Sequence, residues 1–111
     1  MAARPSRRQI IFTIRAKVDL NDIWNWNNVN YGKRHADSYL KFLYKNINSL
    51  SGAASLLNPV LTHDDLFYLV MRRKPHGHGH LAIYEKFNNE IVILRVFHTA
   101  QNWQSDFIEE E

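Results

Sequence analysis

The chain has 111 residues, 45% of them apolar and 23% charged, which is enough for one hydrophobic core in an ordinary globular protein. It has no apolar run near the ~20 residues a membrane span needs. It also has no cysteine, which excludes disulfides and thiolate metal sites. The net charge is +3, yet Glu109, Glu110 and Glu111 stand at the end, and without them 14 basic side chains face 8 acidic ones. Such a balance suits an anionic partner, nucleic acid or acidic protein, and equally a solvated basic surface. The opening residues carry arginines but no long apolar stretch or small-residue cleavage site, so no signal peptide is expected and a reducing cytoplasm is the expected compartment. Residues 1–111 read as a single domain, with 1–8 and 108–111 as loose ends.

After the breaker Pro5-Ser6, Gln9-Ile10-Ile11-Phe12 is a short β-favouring run. Thr13 is placed to cap a helix from Ile14, in which Leu20, Ile23 and Trp24 share a face. Asn27, Asn28 and Asn30 weaken its last turn, and Gly32 is placed to end it. A second helix is predicted from Lys33 to Leu50, with Ala36, Tyr39, Leu43, Ile47 and Leu50 as its stripe and Gly52 as its stop. The short link between the helices makes them an antiparallel hairpin. Three strands follow: 66–71, 81–84 and 91–97, the last rich in β-branched residues. Asn88-Asn89 suits a tight turn between the last two. The strands are therefore expected to form a meander, with the helical hairpin on one face. Leu20, Ile23, Leu43, Ile47, Ile83, Ile93 and Leu94 are the expected core. Ile93 and Leu94 point to opposite faces, so Trp103 or the tail is expected to cover one of them.

Between residues 74 and 85 the chain reads KPHGHGHLAIYE. His76, His78 and His80 alternate with glycine, and in an extended chain they point the same way. Imidazole binds zinc, nickel or copper, but two glycines make the segment floppy and no Asp, Glu or Cys in the loop completes a shell. The favoured reading is a hairpin connection, with no metal and no cofactor. Arg72, Arg73 and Lys74 end one strand, and Arg95 lies inside the last one among apolar neighbours. Burying an unpaired guanidinium is costly. Arg95 therefore pairs with a carboxylate such as Asp19, Asp22 or Asp106, or joins Arg72 or Arg73 and His98 in an anion-binding patch. Trp24 and Tyr39 read as core, whereas Trp26 points to another side as an exposed anchor for a partner.

Two stretches resemble a known family. DLNDIWNWNNVNYG is similar to the first-helix motif of the RelE/ParE toxin superfamily. HLAIYEKFNNEIVILRVFHTAQNW resembles its closing strands, with Tyr84 in an I-x-Y position and Ile93 to His98 in an I-L-R-V-x-H element. The resemblance runs from about Gln9 to Trp103. It implies an α+β fold of βααβββ order, with the helical hairpin packed on a mainly antiparallel sheet. It also implies the toxin of a bacterial type II toxin–antitoxin module, of the kind linked to plasmid stabilisation. The closing element leans toward the ParE branch, whose members poison DNA gyrase. That role implies a target surface of Arg73, Arg95, His98 and Trp103. An acidic, ParD-like antitoxin would then meet the hairpin at Trp26 and Tyr31. The alternative is a RelE-like endoribonuclease, metal-independent and acting on ribosome-bound mRNA, with His98, Arg95, Arg73 and Arg72 as its catalytic set. A relative that binds an antitoxin without toxicity is the third reading. The sequence departs from the family pattern after Pro59, where Val60-Leu61 stand in place of a nearby glycine, and in its histidine loop.

Overall fold

The computed structural model describes residues 8–52, 58–59 and 65–109. Among them the elements run β1 (Gln9–Phe12), α1 (Ile14–Tyr31), α2 (Lys33–Asn48), a 3₁₀ turn (Ser49–Ser51), β2 (Asn58–Pro59), β3 (Leu66–Met71), β4 (His80–Lys86), β5 (Glu90–His98) and α3 (Trp103–Glu109). The sheet order is β1-β5-β4-β3-β2. Only the β1–β5 pair is parallel; the rest form an antiparallel meander. The fold is α+β, with the hairpin on the sheet as expected. Two elements were not foreseen: the two-residue edge strand β2 and the closing helix α3. The breaker Pro5-Ser6 and the departure at Val60-Leu61 lie outside the described residues.

Local chemistry accounts for the boundaries. Thr13 is extended, and its hydroxyl accepts from the Ala16 N–H, capping α1. Gly32 both ends α1, its N–H donating to the Asn28 carbonyl, and starts α2, its carbonyl accepting from Ala36. It does so at φ 92° and ψ 166°, a conformation essentially reserved for glycine. One residue therefore reverses the chain. α2 stops at Asn48 rather than Leu50, because its last turn tightens into the 3₁₀ turn before Gly52.

The sheet buries both faces. On the hairpin side Ala16, Leu20, Leu43, Ile47 and Leu50 pack on Met71, Ala82, Tyr84, Ile91, Ile93 and Val96. On the other side Leu66, Leu81, Ile83 and Phe97 meet Phe107 of α3, with Leu94 and Trp103 beside them. The cover for Leu94 is thus the closing helix, through Trp103 and Phe107. Of the expected core, Leu20, Leu43, Ile47, Ile83 and Ile93 are buried; Ile23 and Leu94 are only partly so. Trp24 is also half-buried rather than core, because its indole spans to α2 and donates to Asp37. Of the residues expected in loose ends, Arg8 and those up to Glu109 are among the described ones. Arg8 is tied through its N–H to Ser51 and through Nε to Phe87, and the α3 backbone continues to Glu109.

A β-bulge controls the last strand. Tyr84 pairs with Ile93 and Ile83 with Arg95, so Leu94 is an extra residue in β5. The alternation reverses there, sending Ile91, Ile93 and Val96 to the hairpin side and Leu94 and Phe97 to the other.

Candidate functional site

The basic and aromatic residues singled out from the sequence fall into three separate places. Arg95 occupies the first. β1 ends at Phe12, leaving the edge of β5 open beyond Ile93, and α1 covers that edge. The Thr13 N–H donates to the Ile93 carbonyl, the Thr13 hydroxyl donates to Leu94, and Asp19 accepts the Val96 N–H at 2.9 Å. Asp19 also receives Arg95 in a two-point pair, Nε to Oδ2 at 2.7 Å and the terminal nitrogen to Oδ1 at 3.0 Å. Both side chains are nearly covered, at 12% and 13% exposure. The guanidinium lies 4.5 Å from the centre of the Phe97 ring. Of the two readings left open for Arg95, the structure has the carboxylate pair, with Asp19. The guanidinium is engaged by Asp19 of α1 and by the Phe97 ring.

The second place is the strand-end corner where β3 finishes, β4 begins and β5 finishes. Tyr39 of α2 reaches it, and its hydroxyl lies 2.6 Å from His80 Nδ1. Burial pushes the phenol pKa up against the opposing pull of Arg73, and burial with the neighbouring His98 brings His80 down to about 4. Phenol and imidazole therefore meet as two neutral groups, and the direction of their hydrogen bond is set by the His80 tautomer. His98 stands edge-on to His80 at 5.1 Å and beside His78 at 5.6 Å, and its Nδ1 accepts the Ala100 N–H. Partial burial and the nearby His78 lower the His98 pKa as well. Arg73 closes the corner, lying 5.4 Å from the Tyr39 and Phe42 rings and donating to Ser38 at 2.7 Å.

The histidine loop is better held than two glycines suggested. The Gly79 N–H donates to Thr99 Oγ1 at 3.0 Å, and the Thr99 N–H returns a bond to the Gly79 carbonyl at 2.9 Å. A Cβ on Gly79 would strike the Met71 carbonyl. The glycine thus allows close approach of two backbones. His80 is not loop at all but the first residue of β4, paired with Met71 and His98. Among the described residues no three His, Asp or Glu side chains are grouped to hold a metal ion. The expected target residues are accordingly divided. Arg73 and His98 border the corner, Arg72 is exposed beside Gly79, and Trp103 packs on Tyr68 across the sheet, at 5.2 Å between ring centres. Sequence reasoning missed the Tyr39–His80 contact. Tyr39 fitted the α2 stripe, and nothing in its spacing marked the hydroxyl as directed past the core.

The third place is the outer face of α1. Trp26 and Tyr31 pack edge to face at 5.7 Å and remain 57% and 61% exposed. Ile14, Val18 and Val29 extend the apolar surface, the first and last being 79% and 83% exposed. α1 thus carries apolar residues on two faces, one against the core and one toward solvent. Such an exposed patch marks an interaction surface. Among the described residues no helix is long and apolar enough to cross a membrane.

Comparisons with known proteins agree with this geometry. No protein of curated function is similar in sequence. A solved structure described as the chromosomal ParDE TA system from P. aeruginosa superposes with a TM-score of 0.70 at 21% identity, over 83% of this chain and 96% of that one. The sequence model of the family described as "ParE toxin of type II toxin-antitoxin system, parDE" matches residues 10–103. That span takes in both helices of the hairpin, every described strand save the first residue of β1, and the first residue of α3. The chain belongs to the ParE toxin family of type II toxin–antitoxin systems.

Proposed function

We propose that this toxin acts on DNA gyrase and blocks replication, and that an acidic, ParD-like antitoxin neutralises it by covering the outer face of α1. The observation that carries the gyrase reading is the withdrawal of Arg95 into its pair with Asp19. An mRNA nuclease must activate a 2′-hydroxyl, stabilise a crowded phosphate and protonate the leaving oxygen, which takes fixed cations as well as proton carriers. In the set foreseen for that task, His98 with Arg72, Arg73 and Arg95, the Arg95 guanidinium is already engaged by Asp19. A gyrase poison needs none of those proton transfers, only a complementary surface, for which Arg73, His98 and Trp103 serve with Arg95 paired to Asp19.

One observation favours the second reading, a ribosome-dependent endonuclease. Tyr39, neutral His80 and His98 form a chain of proton-bearing groups beside Arg73. The decisive experiment sets gyrase supercoiling and cleavage beside ribosome-programmed mRNA cleavage, with one protein preparation. The expected result is gyrase-dependent DNA breaks and an SOS response, without early collapse of translation. His98→Gln then reduces toxicity by a small factor, whereas loss of a catalytic acid lowers activity roughly 10²–10⁴-fold. Site-specific cuts in ribosome-bound message, with gyrase unaffected, select the nuclease. A protein silent in both assays that still binds the antitoxin is the non-toxic relative.

A further inference from the structure

The two helices of the hairpin present outward surfaces of opposite character. α1 shows Ile14, Val18, Trp26 and Val29, the surface assigned above to a protein partner. On α2, Lys33, Arg34, Asp37, Ser38 and Lys41 line a shallow groove of about 490 Å³. Lys45, one turn beyond Lys41, continues the same face. The cations span roughly 18 Å along the helix axis. Asp37, the one carboxylate in the lining, faces α1, where Trp24 Nε1 donates to it at 2.8 Å. Arg73 adds a further positive charge at the groove's edge, held by Ser38 and by the Tyr39 and Phe42 rings.

We propose that this face of α2, built from Lys33, Arg34, Lys41 and Lys45 with Arg73, binds the phosphodiester backbone of duplex DNA. Charge complementarity selects an anionic partner, and the lining selects its class. The core of a protein–protein interface is depleted in charge and rich in aromatic anchors, but the groove is lined by polar and charged side chains alone. Single strands bind through aromatic platforms on which bases stack, and the lining has none. A polar, strongly positive helix face suits a duplex backbone, which is contacted by charge and without regard to sequence. The choice of DNA over duplex RNA rests on the gyrase reading, since gyrase works on duplex DNA.

The test is fluorescence anisotropy of the full-length chain, without gyrase, on a labelled duplex DNA of about two helical turns. The matching RNA duplex and a polyglutamate peptide of equal charge are measured in parallel. Binding to DNA is expected to be weak and independent of sequence. As salt rises from about 50 to 200 mM, log affinity falls with a slope near −4 to −5, roughly 0.9 for each phosphate engaged. Replacing Arg34 and Lys41 together by alanine reduces that slope by about 2 and weakens binding more than roughly tenfold at low salt. Lys17→Ala, on exposed α1, changes neither. Both side chains removed are exposed, so the melting temperature of the double variant should equal that of the parent. An unchanged slope in the double variant overturns the proposal, as does RNA or polyglutamate binding as tightly as DNA. The double variant is also assayed for gyrase cleavage, which reads the gyrase assignment separately.

Discussion

Arg95 illustrates how one side chain is claimed by its surroundings. Its guanidinium and the Asp19 carboxylate are almost covered, so each compensates a charge that would otherwise be costly to bury. Asp19→Ala also orphans the Val96 N–H. It should lower stability by about 3 kcal/mol, read as a reduced urea midpoint at unchanged slope. An apolar pair, Asp19→Leu with Arg95→Met, should recover part of that loss. Toxicity that vanished in the double variant, despite restored folding, would return Arg95 to the target surface. His80 makes the second prediction at this scale. Its pKa in the fold is about 4, below the ordinary 6.5, chiefly through burial and then through His98. The unfolded chain therefore binds more protons in that interval. Stability is complete above about pH 6.5 and falls as the pH drops toward 4, by up to roughly 3 kcal/mol. His80→Gln should flatten much of this acid limb in melts between those pH values. The lowered His98 acts in the same direction.

At the scale of elements, the link between the helices and the outer face of α1 carry testable consequences. Gly32 holds a backbone conformation that a side chain disfavours whatever space surrounds it. Gly32→Ala should cost about 1–3 kcal/mol, whereas Gly52→Ala, at φ −80° and with ordinary room, should change the melting temperature little. The apolar surface of α1 should be where the antitoxin is held. Ordering a flexible antitoxin segment costs free energy, so the contact should be wide and depend on aromatic anchors. Trp26→Ala should weaken the complex by about 2 kcal/mol or more, and Val29→Glu should do likewise, with no change in the toxin's own melting. Amide protection on antitoxin binding is expected along α1. Protection confined to the histidine loop would place the antitoxin elsewhere.

For the whole molecule, the order of elements, the hairpin and most of the core were legible in the sequence. Apolar residues recur there with the periods of helix and strand, and Thr13, Gly32 and Asn88-Asn89 mark turns by local chemistry alone. The family, too, could be read from the first helix and the last strands. The functional geometry was far less legible, because it depends on contacts between residues distant along the chain. Period-2 alternation in β5 holds only as far as the bulge at Leu94; that bulge and the edge of β5 beyond the short β1 bring Arg95 to Asp19, 76 positions away. Likewise, Tyr39 fits an apolar helical stripe, and its role at His80 follows only from where α2 crosses the sheet. The Gly79 clamp on Thr99 turned an apparently loose histidine run into part of a fixed corner. Sequence by itself determined which elements form and which faces are apolar, since both follow from local periodicity and turn chemistry. Tertiary structure alone decided which charges are buried in pairs and which remain on the surface, because pairing depends on where strands end and helices cross.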